Sequence, residues 1–181
     1  MSSREDPRTI RSRMALHSAF LDLLKSHALE EITIRQICSV AKVHYTTFFR
    51  HHPSKESLLE EIAAEQSEKL VTLSLPVVET DDRHAVHLTL CNFINENRAL
   101  WSALLNGGAA GTVKAELLRL CMQPAIKRVP KKTKIPVELI VISTVSVQLE
   151  ALSWWLAQPA GQFSVKQLAD MLDELVYTSL K

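Results

Sequence analysis

Apolar side chains recur at intervals of three and four along this chain, and capping residues mark where the stripes begin. Asp6 and Pro7, an N-cap followed by a proline at the first helical position, open a helix. Its residues Ile10, Met14, Leu16, Ala19, Phe20, Leu23 and Leu24 form a wide apolar stripe as far as about His27. Thr33 followed by Gln36 has the spacing of a capping box, which starts a short second helix at Ile34. Ile37, Cys38 and Ala41 share one face of it, and the small side chains at Cys38 and Ala41 let another helix come close. The pattern breaks at Lys42 and Val43 and resumes with Phe48 as a buried position. His44, Tyr45, Thr46, Thr47, Phe49 and Arg50 are left facing outward. Pro53 ends this third helix, and Ser54 caps a fourth from Lys55 to roughly Leu73, with Leu58, Leu59, Ile62 and Leu70 on its apolar side.

Pro76 and the polar stretch Glu79-Thr80-Asp81-Asp82 read as a joint between two modules. Helical patterns resume over 83–96, 97–106 and 112–128. The basic run from Lys127 to Lys134 reads as a solvated connection. Pro136 opens a long helix to about Ala157 that is apolar on nearly all sides, as expected of one packed both inside its own subunit and against another chain. Ser164 and Gln167 repeat the capping-box spacing, and the last helix carries Leu168, Met171, Leu172, Leu175 and Val176. The pattern predicts an all-α protein.

Two short helices joined by a tight turn, the second with an aromatic, hydroxyl-bearing and basic outer face, describe a helix-turn-helix. The stretch from Thr33 to Lys55 holds Arg35, Lys42, Arg50, Lys55 and three histidines but no acidic residue, a footprint suited to a polyanion. At this point the chain resembles the TetR family of transcriptional regulators. The resemblance rests on Thr33-Ile34-Arg35-Gln36-Ile37, on the Ala41-x-Val43 turn, on Thr47-Phe48-Phe49 and on Pro53-Ser54-Lys55-Glu56-Ser57-Leu58-Leu59. With the first helix it covers about the first 65 residues. Three positions depart from the family's habit: Lys42 stands where glycine usually makes the turn, His44 where serine usually begins the recognition helix, and His52 where phenylalanine usually packs before the proline. A β-carbon held at positive φ costs on the order of 1 kcal/mol, so Lys42 marks a local strain.

The resemblance implies a DNA-binding domain over residues 1–73 and a helical regulatory and dimerisation domain over 74–181. It implies a homodimer whose two recognition helices stand about 34 Å apart, or a small multiple of that, on an inverted-repeat operator in double-stranded DNA. His44, Tyr45 and Thr46 would then approach base edges. Thr33, Arg35, Thr47, Phe49, His51 and Lys55 would mainly hold phosphates. For Lys55 there is an added reason, since a cation in the first turn of a helix is disfavoured by the dipole unless an anion is shared there. The function implied is a ligand-responsive repressor; the alternative is a helical ligand-binding or interaction protein that keeps the fold without sequence-specific DNA binding.

Composition narrows the classes further. With only 4 glycines in 181 residues, the chain is poorly suited to a phosphate-cradling glycine loop or a sheet-rich fold. Net charge is +1, which alone says nothing of nucleic acid; residues 1–60 hold 9 Lys+Arg against 7 Asp+Glu, a small basic excess at the N-terminal end. No G-x-S-x-G elbow or H-E-x-x-H appears, and the acidic residues are not paired, so no enzyme and no cofactor is expected. Cys38, Cys91 and Cys121 lie in apolar surroundings, as buried thiols in a reducing compartment would. The polar N-terminus lacks an apolar signal core. The apolar run 135–157 is interrupted by Glu138, Gln148 and Glu150, so a cytoplasmic protein without a membrane span is expected.

Two further sets carry candidate chemistry. Phe93, Trp101, Leu105, Leu118, Met122, Leu149 and Trp155 would line a cavity for a small apolar or amphipathic ligand, or else form plain core. His84, His87 and Cys91 stand at i, i+3 and i+7 and share a helical face with metal-ligand spacing, although histidines on such a helix more often serve packing or solvation, and no metal is expected.

Overall fold

A computed structural model describes residues 6–78, 82–107, 109–128 and 134–179. The core of the expected basic connection, 129–133, and part of the expected joint, 79–81, lie outside the described residues. Every regular element among those described is helical: α1 (Pro7–Leu24), a 3₁₀ turn (Leu29–Glu31), α2 (Ile34–Ala41), α3 (Tyr45–His51), α4 (Lys55–Val78), α5 (Arg83–Glu96), α6 (Arg98–Asn106), α7 (Ala110–Arg128), α8 (Val137–Ala157) and α9 (Val165–Ser179). Contacts divide the chain into two compact units, residues 1–62 and 63–181, and the division falls inside α4.

The predicted helix starts are made as the capping residues suggest. The Asp6 side chain accepts from the Arg8 amide, with Pro7 at the first position of α1. Thr33 and Gln36 exchange hydrogen bonds at the start of α2, and Ser164 and Gln167 do so at the start of α9. Ser54 accepts from the Ser57 amide at the head of α4. Each such cap satisfies amides that otherwise lack a partner, typically worth about 1 kcal/mol.

Three boundaries differ from expectation. α1 ends at Leu24, short of His27, because the amides of Lys25 and Ser26 reach back three residues and tighten the last turn. α7 begins at Ala110, two residues early. α4 runs on to Val78 past the expected end near Leu73. Pro76 near its end and Pro124 inside α7 each remove one backbone donor without stopping the helix.

In the first unit α1 packs on α2 and α3, around Leu16, Phe20, Ile32, Ile37, Phe48, Leu58 and Ile62, all at most 1% exposed. In the second, α8 packs on α6, α7 and α9, and α5 lies along α9. Trp101, Ile94, Leu104, Val113, Leu152, Leu168 and Leu172 form its centre. Arg98 closes the far end of α8: its guanidinium donates to the carbonyls of Trp155 and Gln158 at 2.7 and 3.0 Å and lies 4.3 Å from the centre of the Trp155 ring. α8 is long and apolar enough to cross a membrane by length and composition, with a mean hydropathy of 1.5, yet it packs against three helices of its own unit.

Candidate nucleic-acid interface

The turn between α2 and α3 is a Schellman motif. The Val43 amide bonds to the Cys38 carbonyl at 3.0 Å and the Lys42 amide to the Ser39 carbonyl at 3.3 Å, which requires Lys42 to take a left-handed conformation, φ 54° and ψ 40°. Among the described residues no other non-glycine has a positive φ. The strain expected at this position is therefore present, and it sets the angle at which α3 leaves α2.

α3 is held from beneath by one aromatic side chain. Phe48 is fully buried, whereas His44, Tyr45, Thr46, Phe49 and Arg50 are exposed and Thr47 half-exposed, the division expected from the sequence. Tyr45 and Phe49 meet edge to face at 5.1 Å, and Phe49 meets Phe48 at 5.4 Å, so the outer rings are anchored on the inner one. Beside this face lies an open depression of about 360 Å³ lined by Arg35, Cys38, Ser39, Lys42, Val43, His44 and Tyr45. Ser39 and Lys42 were not among the expected contact residues. Their spacing from Arg35, at i+4 and i+7, places them on its face of α2 and was legible in advance.

Other expected residues are engaged inside the unit. Thr33 is occupied as a cap. His51 Nε2 lies 2.7 Å from Ser12 Oγ on α1. Lys55 does not extend alone from the first turn of α4: its ammonium donates to the carbonyls of Leu29 and Ile32, at 2.7 and 3.0 Å, and so fastens the 3₁₀ turn to α4. These two bonds use two of its three donors.

His52 is 1% exposed, with Nδ1 3.4 Å from Glu61 Oε2. Burial pushes its imidazole below the ordinary 6.5, and the attraction of the Glu61 carboxylate does not offset this. His17 Nε2 lies 3.3 Å from the other oxygen of the same carboxylate. This cluster joins residues 9 to 44 positions apart, so no local motif announced it.

In the second unit the expected ligand set separates by burial: Trp101, Leu105, Leu149 and Trp155 are buried, while Phe93, Leu118 and Met122 are half-buried. Phe93 stacks edge to face on Trp101 at 6.1 Å, and the Trp101 indole N–H is buried without a hydrogen-bond partner. Trp155 Nε1 donates to the Phe163 carbonyl at 3.1 Å. His84 and His87 turn their Nδ1 atoms onto the two oxygens of Asp173 on α9, and Gln148 on α8 reaches His87 Nε2 at 3.1 Å. Burial, then the Asp173 charge, push the Cys91 thiol up to about 12, so it is a packing group beside these histidines.

No family profile matches this sequence. An uncharacterised helix-turn-helix transcriptional regulator of Bacillus subtilis, YxbF, is 29% identical over 97 residues, a match that covers 50% of this chain and 25% of that protein. Among solved structures, a TetR transcriptional regulator from Streptococcus agalactiae is 22% identical, with a TM-score of 0.67, 95% of this chain covered and 97% of that one. Thermus thermophilus FadR, a TetR-family repressor in complex with lauroyl-CoA, is 17% identical at a TM-score of 0.67, with 93% of each chain covered. A TetR regulator from a Rhodococcus species is 14% identical at 0.69, covering 97% of this chain and 98% of its own. A nearly complete structural match to several such proteins, together with the helix-turn-helix and the all-helical second unit, gives the conclusion: this chain has the fold of the TetR-family transcriptional regulators.

Proposed function

We propose that this chain is a DNA-binding transcriptional regulator: a homodimer in the cytoplasm that reads an inverted repeat and releases it when a small ligand binds. Residues 1–73 would bind DNA, and 74–181 would dimerise and take the ligand. The observation that carries this reading is the outer face of α3. Tyr45 and Thr46 are exposed on a helix whose only buried side chain is Phe48, next to a depression bordered by Arg35, Lys42 and His44 and within a stretch that has no carboxylate. Side chains so placed suit the major groove, with His44, Tyr45 and Thr46 toward base edges. Thr33, Arg35, Thr47, Phe49, His51 and Lys55 would border the phosphates.

The regulatory half is supported by two features. Leu139, Ile142 and Trp154 on α8 and Leu175 on α9 are exposed by 43–51%, an apolar surface fit to meet its copy in a second subunit. The buried, unpartnered Trp101 N–H is a donor waiting for an acceptor, and Phe93, Leu105, Leu118, Met122, Leu149 and Trp155 are its candidate apolar surroundings. An amphipathic molecule such as an acyl thioester, the kind of ligand bound by FadR, combines such an acceptor with an apolar tail.

Selection of bound sequences from a random duplex pool tests the reading. An inverted repeat should emerge, Tyr45→Ala should lose about 1–3 kcal/mol of discrimination per contacted base, and Arg35→Ala should weaken all sequences alike. Failure to enrich any sequence at low salt would remove the assignment.

A further inference from the structure

The first unit brings together three side chains that the DNA-binding reading does not use: His17 on α1, His52 at the end of α3 and Glu61 on α4. Glu61 divides its carboxylate between the two rings, with Oε1 3.3 Å from His17 Nε2 and Oε2 3.4 Å from His52 Nδ1. One donor atom from each residue lies within 4.8 Å of the others. Zinc holds nitrogen and oxygen at about 2.0–2.1 Å, so neighbouring donors of a tetrahedral shell stand about 3.4 Å apart. The two rings sit at that distance from different oxygens of Glu61, so an ion held through one oxygen has to draw the farther ring inward from a separation that is already within 4.8 Å. Packing within one unit brings α1, α3 and α4 together before any ion arrives.

Hydrogen bonding alone accounts poorly for His52. Its ring is 1% exposed and its Nε2 has no hydrogen-bond partner, so the protein bears the desolvation of a polar atom that an apolar ring would spare it. A metal on Nδ1, the nitrogen that faces Glu61, gives that ring a reason to be an imidazole, although Nε2 itself gains no partner from it. The Glu61 side chain is 33% exposed, which leaves water access to a fourth position. Arg13 lies 3.7 Å from Glu61 Oε1 and is the competing cation; at 38% exposure it has room to withdraw. Two imidazoles and one carboxylate select zinc and its divalent transition-metal neighbours over magnesium or calcium, which take oxygen ligands.

We propose that His17, His52 and Glu61 form a binding site for a divalent transition metal of the zinc class, joining the end of α3 to α1 and α4. The site stands independently of the DNA-binding reading. The test uses the full chain stripped with a chelator, titrated with zinc chloride in a calorimeter and with cobalt(II) in a spectrophotometer. One ion per chain should bind, and cobalt(II) should show the visible absorption of a tetrahedral nitrogen and oxygen site. His52→Phe, which keeps a ring in the core, and His17→Gln, at a partly exposed position, should each lower affinity at least about 100-fold, more than loss of an outer-sphere partner does. His84→Gln in the other unit should change nothing. Should His52→Phe fail to fold, His17→Gln decides. No saturable zinc uptake, uptake unchanged in the variants that fold, or uptake lost with His84→Gln would each overturn the proposal.

Discussion

Replacing Lys42 by glycine should stabilise this protein although it removes a side chain and a charge. Lys42 holds φ 54° to close the Schellman turn between α2 and α3, and there its β-carbon crowds the following carbonyl at a cost of about 1–2 kcal/mol. Glycine removes that strain. It also frees the unfolded chain, which returns about 0.4–1 kcal/mol of the gain. The net expectation is roughly 0.5–1 kcal/mol, or about 1–4 °C in Tm for a chain of this length, read by calorimetry or circular dichroism. Lys42→Ala is the control: it deletes the same exposed charge and keeps the β-carbon, so it should gain nothing. Equal stability of the glycine and alanine variants would refute the strain. The two variants also separate roles, because a phosphate contact by the Lys42 ammonium would weaken DNA binding alike in both.

Lys55→Met should cost about 1.5–3 kcal/mol of stability without any DNA, since the Leu29 and Ile32 carbonyls lose a charged donor; an unchanged Tm would refute this fastening role. Burial acts to raise the Asp173 carboxyl, but the hydrogen bonds and charges of His84 and His87 hold it below its ordinary 3.8. Its folded value is the lower one, so its contribution is present above 3.8 and is lost as pH falls through the folded value. Asp173→Asn should therefore flatten acid unfolding monitored by circular dichroism in that range, and an unchanged acid limb would sink the assignment. Trp154→Glu, at a side chain 46% exposed on α8, should shift the chain toward monomer in sedimentation while the helical signal stays; a dimer that persists would move the interface off this face.

Local chemistry made the helices legible. Asp6-Pro7, Thr33-x-x-Gln36 and Ser164-x-x-Gln167 each satisfy amides within three residues of themselves, and such signals lie wholly in the sequence. The turn at Lys42 and the buried Phe48 followed from the same short-range periodicity. What escaped was long-range. The Lys55 ammonium finds carbonyls 23 and 26 residues away, and the His17–Glu61–His52 cluster exists only because three helices converge. His84 and His87 were rightly placed on one face, but the partner that turns them, Asp173, stands 86 residues further on. Periodicity reports which side of a helix is buried and is silent about what waits there.

That last arrangement limits how the second unit can move. His87 is 4% exposed and spans three helices, one nitrogen on Asp173 of α9 and the other on Gln148 of α8. Apolar contacts between helices weaken gradually as the surfaces slide, because one methyl replaces another. A hydrogen-bonded bridge has no such graded response: a shift of α5 by even part of a turn would leave polar atoms of all three residues without partners. The bridge acts as a detent, and α5, α8 and α9 should travel as one body or exchange between discrete positions.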